Sequence, residues 1–159
     1  MTRSGAVVIA STRASAGVYE DLCGPLIVDW LNERGITTGP PDVVADGEAV
    51  DRALRAALVG TPDVIVTSGG TGISPTDATP QVTAALLDYE LPGLAEAIRR
   101  AGLPQVPTAV LSRGLCGVSG RTLIVNLPGS RGGVRDGLSV LADVLDHALD
   151  QLQGKDHSR

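Results

Sequence analysis

Asp63-Val64-Ile65-Val66-Thr67-Ser68-Gly69-Gly70-Thr71-Gly72 is the stretch that decides the fold. Its first half is an apolar run without polar alternation, the pattern of a strand covered on both faces in a parallel sheet. Its second half is a glycine-rich loop at the strand's carboxyl end, where backbone amides approach an anion with no Cβ in the way. By itself the loop reads equally well as a tight turn. It is neither a GxGxxG fingerprint nor a P-loop, because it does not open the first βα unit and has no GK[ST] ending.

Working outward, the same rhythm repeats. Ala6 to Ala10 is another continuous apolar run, followed by a turn-rich stretch from Ser11 to Gly17. Leu22, Leu26, Ile27, Trp30 and Leu31 then share one helical face, which Gly35 ends. Pro25 limits how far upstream that helix runs regularly. Val43-Val44-Ala45 reads as a short strand ending at Asp46-Gly47, and Val50, Leu54, Ala57 and Leu58 mark a second amphipathic helix. Downstream, a helix is expected to start near Pro80 and another to cover Leu91 to Arg100. Ala109 to Ser112 and Thr122 to Val125 are expected as strands, with Asn126-Leu127-Pro128-Gly129 as a turn. Val134, Leu138, Leu141, Leu145, Ala148 and Leu152 trace one stripe of a single long terminal helix.

Strands and helices in alternation predict a three-layer α/β/α fold around a mostly parallel sheet. Residues 1–153 are expected to form one domain and 154–159 a flexible tail. Ligands of such sheets bind beyond the strands' carboxyl ends, where Asp46, the loop from Ser68 to Gly72, Ser112 and Asn126 all fall.

Composition removes several function classes. Hydrophobic residues at 43% with 19% charged suit a globular chain, and without Phe the core must be built from Val, Leu, Ile and Ala. A net charge of −5 and scattered basic residues argue against nucleic acid as a partner. No segment is long enough for a membrane span, and the apolar run from Gly5 to Ala10 is too short for a signal-peptide core, so a cytoplasmic protein is expected. Cys23 and Cys116 form no CxxC pair and read as small core residues.

Elimination narrows the chemistry further. Lys155 is the only lysine and lies in the tail, which leaves no Schiff-base or phosphate-loop lysine. His147 lies off the terminal stripe and His157 in the tail, so a serine triad or a histidine-bound zinc would have no imidazoles. Carboxylates, arginines, hydroxyls and backbone amides remain, an inventory suited to metal-assisted phosphoryl or nucleotidyl transfer. Mg²⁺ needs only one or two protein carboxylates, and Asp46 and Asp77 are the candidates. Singly, each reads as structural: Asp46 as a turn residue or helix cap, Asp77 as a cap for the helix near Pro80. Their shared placement beside an anion-friendly loop shifts the reading toward function. Arg13 and Arg113, just beyond predicted strands, are either phosphate ligands or a solvated surface pair.

Thr67-Ser68-Gly69-Gly70-Thr71-Gly72 followed by Asp77-Ala78-Thr79-Pro80 resembles the TGGTG…RDxTPE signature of the molybdopterin adenylyltransferases, the MogA/MoaB-type proteins related to the G domain of animal gephyrin. Further matching blocks are Arg13 to Tyr19 with Asp21, Leu91-Pro92-Gly93 with Glu96, Thr108 to Arg113, and Asn126 to Ser130. The resemblance runs over nearly the whole chain. It implies a homotrimer that uses Mg²⁺ and ATP to adenylylate the terminal phosphate of molybdopterin. By the same resemblance pyrophosphate would be released and the product would pass to a molybdate-insertion enzyme. It also implies that Asp46 and Asp77 serve catalysis and Mg²⁺ binding. The pterin and nucleotide pocket would be lined by Arg13, Ser15, Ser68, Gly69, Gly70, Thr71, Gly72, Ser112, Asn126, Pro128, Gly129 and Ser130. The chain departs from the signature at Thr12 (usually Asp), Thr76 (Arg) and Gln81 (Glu). The lost arginine motivates an alternative, a non-catalytic molybdopterin-binding carrier.

Overall fold

The computed structural model describes residues 2–155. The chain forms β1 (Arg3–Ala10), α1 (Thr12–Ser15), α2 (Cys23–Glu33), β2 (Ile36–Thr38), β3 (Asp42–Val44), α3 (Glu48–Val59) and β4 (Val64–Ser68). It continues through α4 (Thr79–Leu86), β5 (Tyr89–Glu90), α5 (Pro92–Ala101), a 3-10 helix (Pro107–Leu111), β6 (Cys116–Ser119), β7 (Thr122–Leu127), α6 (Arg131–Ala142) and α7 (Leu145–Leu152).

The strands make one sheet in the order β2-β1-β4-β7-β6-β5, with β3 paired to β1 beyond the end of β2. β1, β2, β3, β4 and β7 run parallel, while β6 alone is reversed, pairing antiparallel with β7 on one side and with the edge strand β5 on the other. This is the expected mostly parallel α/β/α arrangement. Successive side chains of a strand point to opposite faces, so each apolar run feeds two cores. Val7, Ile9, Val64, Val66, Leu123 and Val125 pack on one side with α2, α5, α6 and α7. Val8, Ala10, Ile65 and Ile124 pack on the other with α3 and α4. That double burial is why the central strands show no polar alternation.

Leu31 of α2 is fully buried in the larger core. Leu31→Ala is expected to lower unfolding free energy by about 2–5 kcal/mol, measurable as a shift in the urea midpoint. Cys23 and Cys116 are buried and unpaired by disulfide, as small core residues should be. Burial raises the Cys23 thiol and pushes that of Cys116 up to about 12.

Several local expectations are corrected. Ala109 to Ser112 is not a strand: Pro107 opens a 3-10 turn, and Val110 and Leu111 are exposed rather than buried in a sheet. Asn126 and Leu127 belong to β7, paired with Thr67 and Ser68 of β4, so the turn starts only at Pro128. The terminal helix is two helices, because Asp143 and Val144 bond to Val140 and Leu141 in tighter i→i−3 fashion between them. The apolar stripe keeps phase across this break, which conceals it. Leu22 precedes α2 and is exposed, outside the core face. Of the expected flexible tail, Gly154 and Lys155 are described, and Lys155 N–H donates to Asp150 O at 3.0 Å. The rest of the tail, with His157, lies outside the described residues. No helix among the described residues is long and apolar enough to cross a membrane.

Candidate active site

The parallel strands bring their carboxyl ends to one edge. Register places Ser68 beside both Ile9 and Leu127, and Val44 beside Ala10. The loops after β1, β3, β4 and β7 therefore open together.

At the centre is the glycine loop. Gly69 and Gly70 have φ of +94° and +67°, conformations that residues bearing a Cβ rarely adopt. A Cβ on Gly69 would run into the Ala10 carbonyl. One on Gly70 would run into Thr79 Oγ1 and come within 3.1 Å of Asp46 Oδ1. A Cβ on Gly72 would lie 2.8 Å from Asp77 Oδ2. Both aspartates therefore flank the loop.

The loop's carbonyls are turned toward protein donors. Gly70 O accepts from Thr79 N at 3.2 Å, Thr71 O from Arg113 N at 2.8 Å, and Gly72 O from Arg113 Nε at 2.8 Å. Because a trans peptide aims its N–H opposite to its C=O, the amides of Thr71, Gly72 and Ile73 point the other way. Amides held like this suit an anion.

Two hollows meet at this loop. One, of about 440 Å³, is walled by the loop, Ser112, Pro128, Ser130, Arg99 and apolar residues of α5 and the 3-10 helix. The other, of about 710 Å³, is walled by Ser11, Thr12, Arg13, Asp21, Asp46, Ser68 and Arg131. Gly69, Gly70, Asp77 and Gly129 line both, so the loop is a shared wall between a more apolar and a more polar compartment.

Neither aspartate is a helix cap. The N-cap of α3 is Gly47 and that of α4 is Ala78. Asp46 Oδ2 accepts from Thr12 Oγ1 at 3.0 Å, and Asp77 Oδ2 accepts from Ser74 N at 3.1 Å. Arg113 is half-buried and lines neither hollow. Besides Gly72 O, its Nη2 bonds Asp77 O at 2.9 Å, so it clasps both ends of the segment that carries Asp77. Arg113→Ala is expected to loosen this segment and reduce turnover about tenfold, with Arg113→Lys restoring little because one amine cannot span both carbonyls. Steady-state kinetics of the two variants checks this.

The remaining expected residues, Ser15 apart, line one hollow or both. Arg13 and Ser68 line the polar hollow, Pro128 and Ser130 the apolar one, and Gly129 both. Ser68 Oγ donates to Pro128 O at 2.7 Å, and Ser130 caps α6 through Gly133 N. Ser15 lies outside both linings and instead donates to Thr12 O at 2.9 Å. Asn126 touches the apolar hollow but is only 3% exposed. Its Oδ1 accepts from Leu115 N at 3.0 Å, and its Nδ2 donates to Thr67 and Thr83 Oγ1 at 2.9 and 3.1 Å. Its amide thus knits β4, β7 and α4 together beneath the site. Ser112 lines the apolar hollow, but from the end of the 3-10 turn rather than from a strand.

Sequence reasoning missed Arg99 and Arg131. Arg99 lies on α5 and donates to Ser112 O and Gly114 O at 3.3 and 3.0 Å. Arg131 immediately follows Ser130 at the start of α6, and that position was the available signal. Where the signature's arginine is replaced by Thr76, the same polar hollow holds Arg13 and Arg131.

Fold and site define a class: an α/β protein with a divided cleft, walled by a glycine-rich loop and flanked by two aspartates, at the carboxyl edge of its sheet. The family model described as a probable molybdopterin binding domain matches residues 6–147, and the chain belongs to that family. A molybdopterin adenylyltransferase of Helicobacter pylori is 36% identical over 152 residues, covering 93% of this chain and 86% of that one. A molybdenum cofactor biosynthesis bifunctional protein of Synechococcus elongatus is 37% identical over 152 residues, and there the chain spans 48% of the longer relative. The solved structure of the molybdopterin biosynthesis Mog protein from Mycobacterium ulcerans is 64% identical, with a TM-score of 0.90, covering 94% of this chain and 99% of that one.

Proposed function

We propose that this chain is a molybdopterin adenylyltransferase of molybdenum cofactor biosynthesis, transferring AMP from ATP to the terminal phosphate of molybdopterin with release of pyrophosphate. The observation that carries this reading is the divided cleft, whose shared wall offers backbone amides and whose flanks offer Asp46 and Asp77. Two anionic substrates approach one another from the two sides. The pterin phosphate oxygen attacks the α-phosphorus of ATP, a P–O bond forms, and the α–β bridging bond breaks to free pyrophosphate. The chain's own residues act by placement and charge. Arg13 and Arg131 offset phosphate charge, and the amides of Thr71, Gly72 and Ile73 orient a phosphate against the wall.

The donor set fits Mg²⁺. Among the described residues no cluster of three or more His, Cys, Asp or Glu could hold a metal, so the protein offers two carboxylates, and this ion takes its remaining ligands from phosphate and water. When bound at Asp46 and Asp77, it would neutralise charge between the two anions. The family resemblance further leads us to a homotrimer and to delivery of the product to a molybdate-insertion enzyme. A light-scattering mass of one chain would contradict the trimer.

The test mixes purified protein with molybdopterin, Mg²⁺ and ATP and follows pyrophosphate. Release that needs both substrates supports the enzyme. Saturable pterin binding without pyrophosphate would instead identify a carrier, the reading motivated by Thr76 in place of arginine.

A further inference from the structure

Asp46 is held by a reciprocal pair of hydrogen bonds to one side chain. Thr12 Oγ1 donates to Asp46 Oδ2 at 3.0 Å and accepts from Asp46 N at 3.1 Å. One hydroxyl thus fixes both the backbone and the carboxylate of the same aspartate. The hydroxyl is itself anchored. Ser11 caps α1 by accepting from Ala14 N at 3.1 Å, Ser11 N donates to Val44 O at 2.8 Å, and Thr12 O accepts from Ser15 Oγ at 2.9 Å. Thr12 is therefore tied to the strand that leads into Asp46.

The consequence lies in the other carboxylate oxygen. With Oδ2 engaged by Thr12, Oδ1 is turned to Gly70, where it stands 3.1 Å from the place a Cβ would occupy. We infer that Thr12 is a positioning residue, which holds one oxygen of Asp46 so that the other is presented over the glycine wall to the reacting phosphates. A hydroxyl can do this because it both donates and accepts. An ionised carboxylate at position 12, the residue usual in the signature, could still accept from Asp46 N but could not donate to Asp46 Oδ2, so the reciprocal pair is a feature of this chain's threonine. The bond is exposed to solvent, and exclusion of water by a bound substrate would strengthen it.

This inference rests on the adenylyl-transfer reading, and the experiment separates the two. Thr12→Val, Thr12→Ser and Asp46→Asn are compared for kcat, KM for ATP and thermal midpoint. Thr12→Val is expected to lower kcat about tenfold with KM for ATP and thermal midpoint nearly unchanged, and Thr12→Ser is expected to restore kcat. Wild-type kcat in Thr12→Val, with Asp46→Asn inactive, would overturn the positioning role while leaving the enzyme reading intact. Equal losses in the Val and Ser variants would also overturn it, because the hydroxyl would then not be the operative group. Full activity in Asp46→Asn would overturn the carboxylate's role itself.

Discussion

Asp46→Asn and Asp77→Asn are each expected to cut AMP transfer by about 10²–10³-fold while leaving the thermal transition in place. Asparagine keeps the volume and one acceptor oxygen of aspartate. It can still accept from Thr12 at position 46 and from Ser74 N at position 77, the contacts that hold these side chains now. What disappears is negative charge on each flank of the glycine wall, and with it the ability to offset cationic charge brought in with the nucleotide. The check is initial rate of pyrophosphate release against the circular-dichroism melt of the same samples. Turnover within a few-fold of wild type in both variants would remove the carboxylates from the mechanism.

The second large effect concerns the wall. Gly70→Ala forces a left-handed backbone on alanine, costing about 1–2 kcal/mol. It also drives a methyl into Thr79 Oγ1 and against Asp46 Oδ1. The side chains it meets can rotate, so the protein is expected to fold with a lowered midpoint. Asp46 is displaced, however, and activity should fall about tenfold or more, as for other small misplacements at reacting centres. Gly69→Ala differs in kind. Its methyl meets the Ala10 carbonyl, a backbone atom fixed in the sheet, and the strain must be relieved by moving β1 or the loop. Larger destabilisation than for Gly70→Ala is expected, with loss of soluble protein at 37 °C. Thermal melts and soluble yields of the pair distinguish them; equal stabilities would contradict the asymmetry.

The central strands were legible in the sequence because burial on both faces writes itself as unbroken apolar runs, as in Val64-Ile65-Val66 and Val7-Val8-Ile9. The short strands on the far side of β7 were not. β5 has two residues, and β6 consists of Cys116, Gly117, Val118 and Ser119, too small and mixed to show a period. Ala109 to Leu111 misled for the opposite reason: its β-compatible composition is overruled by Pro107, and the segment stays at the surface. At the site, the two aspartates and the glycine loop were readable from their common position after strands. The clasp of Arg113 on Gly72 and Asp77, the reciprocal bonds of Thr12 with Asp46 and the buried Asn126 amide were not, because each joins residues distant in sequence. Hydrogen-bond geometry leaves no periodic trace. Ser15 shows the converse, since a residue in a matching block can point into its own helix turn.

The most direct test follows the fate of each phosphate. With ATP labelled at the α-phosphorus, the account predicts label on molybdopterin and none in pyrophosphate; with γ-label, it predicts label only in pyrophosphate. Label reaching the pterin from the γ-position would mean phosphoryl rather than adenylyl transfer and would contradict it, as would a pterin that binds and acquires no label from either.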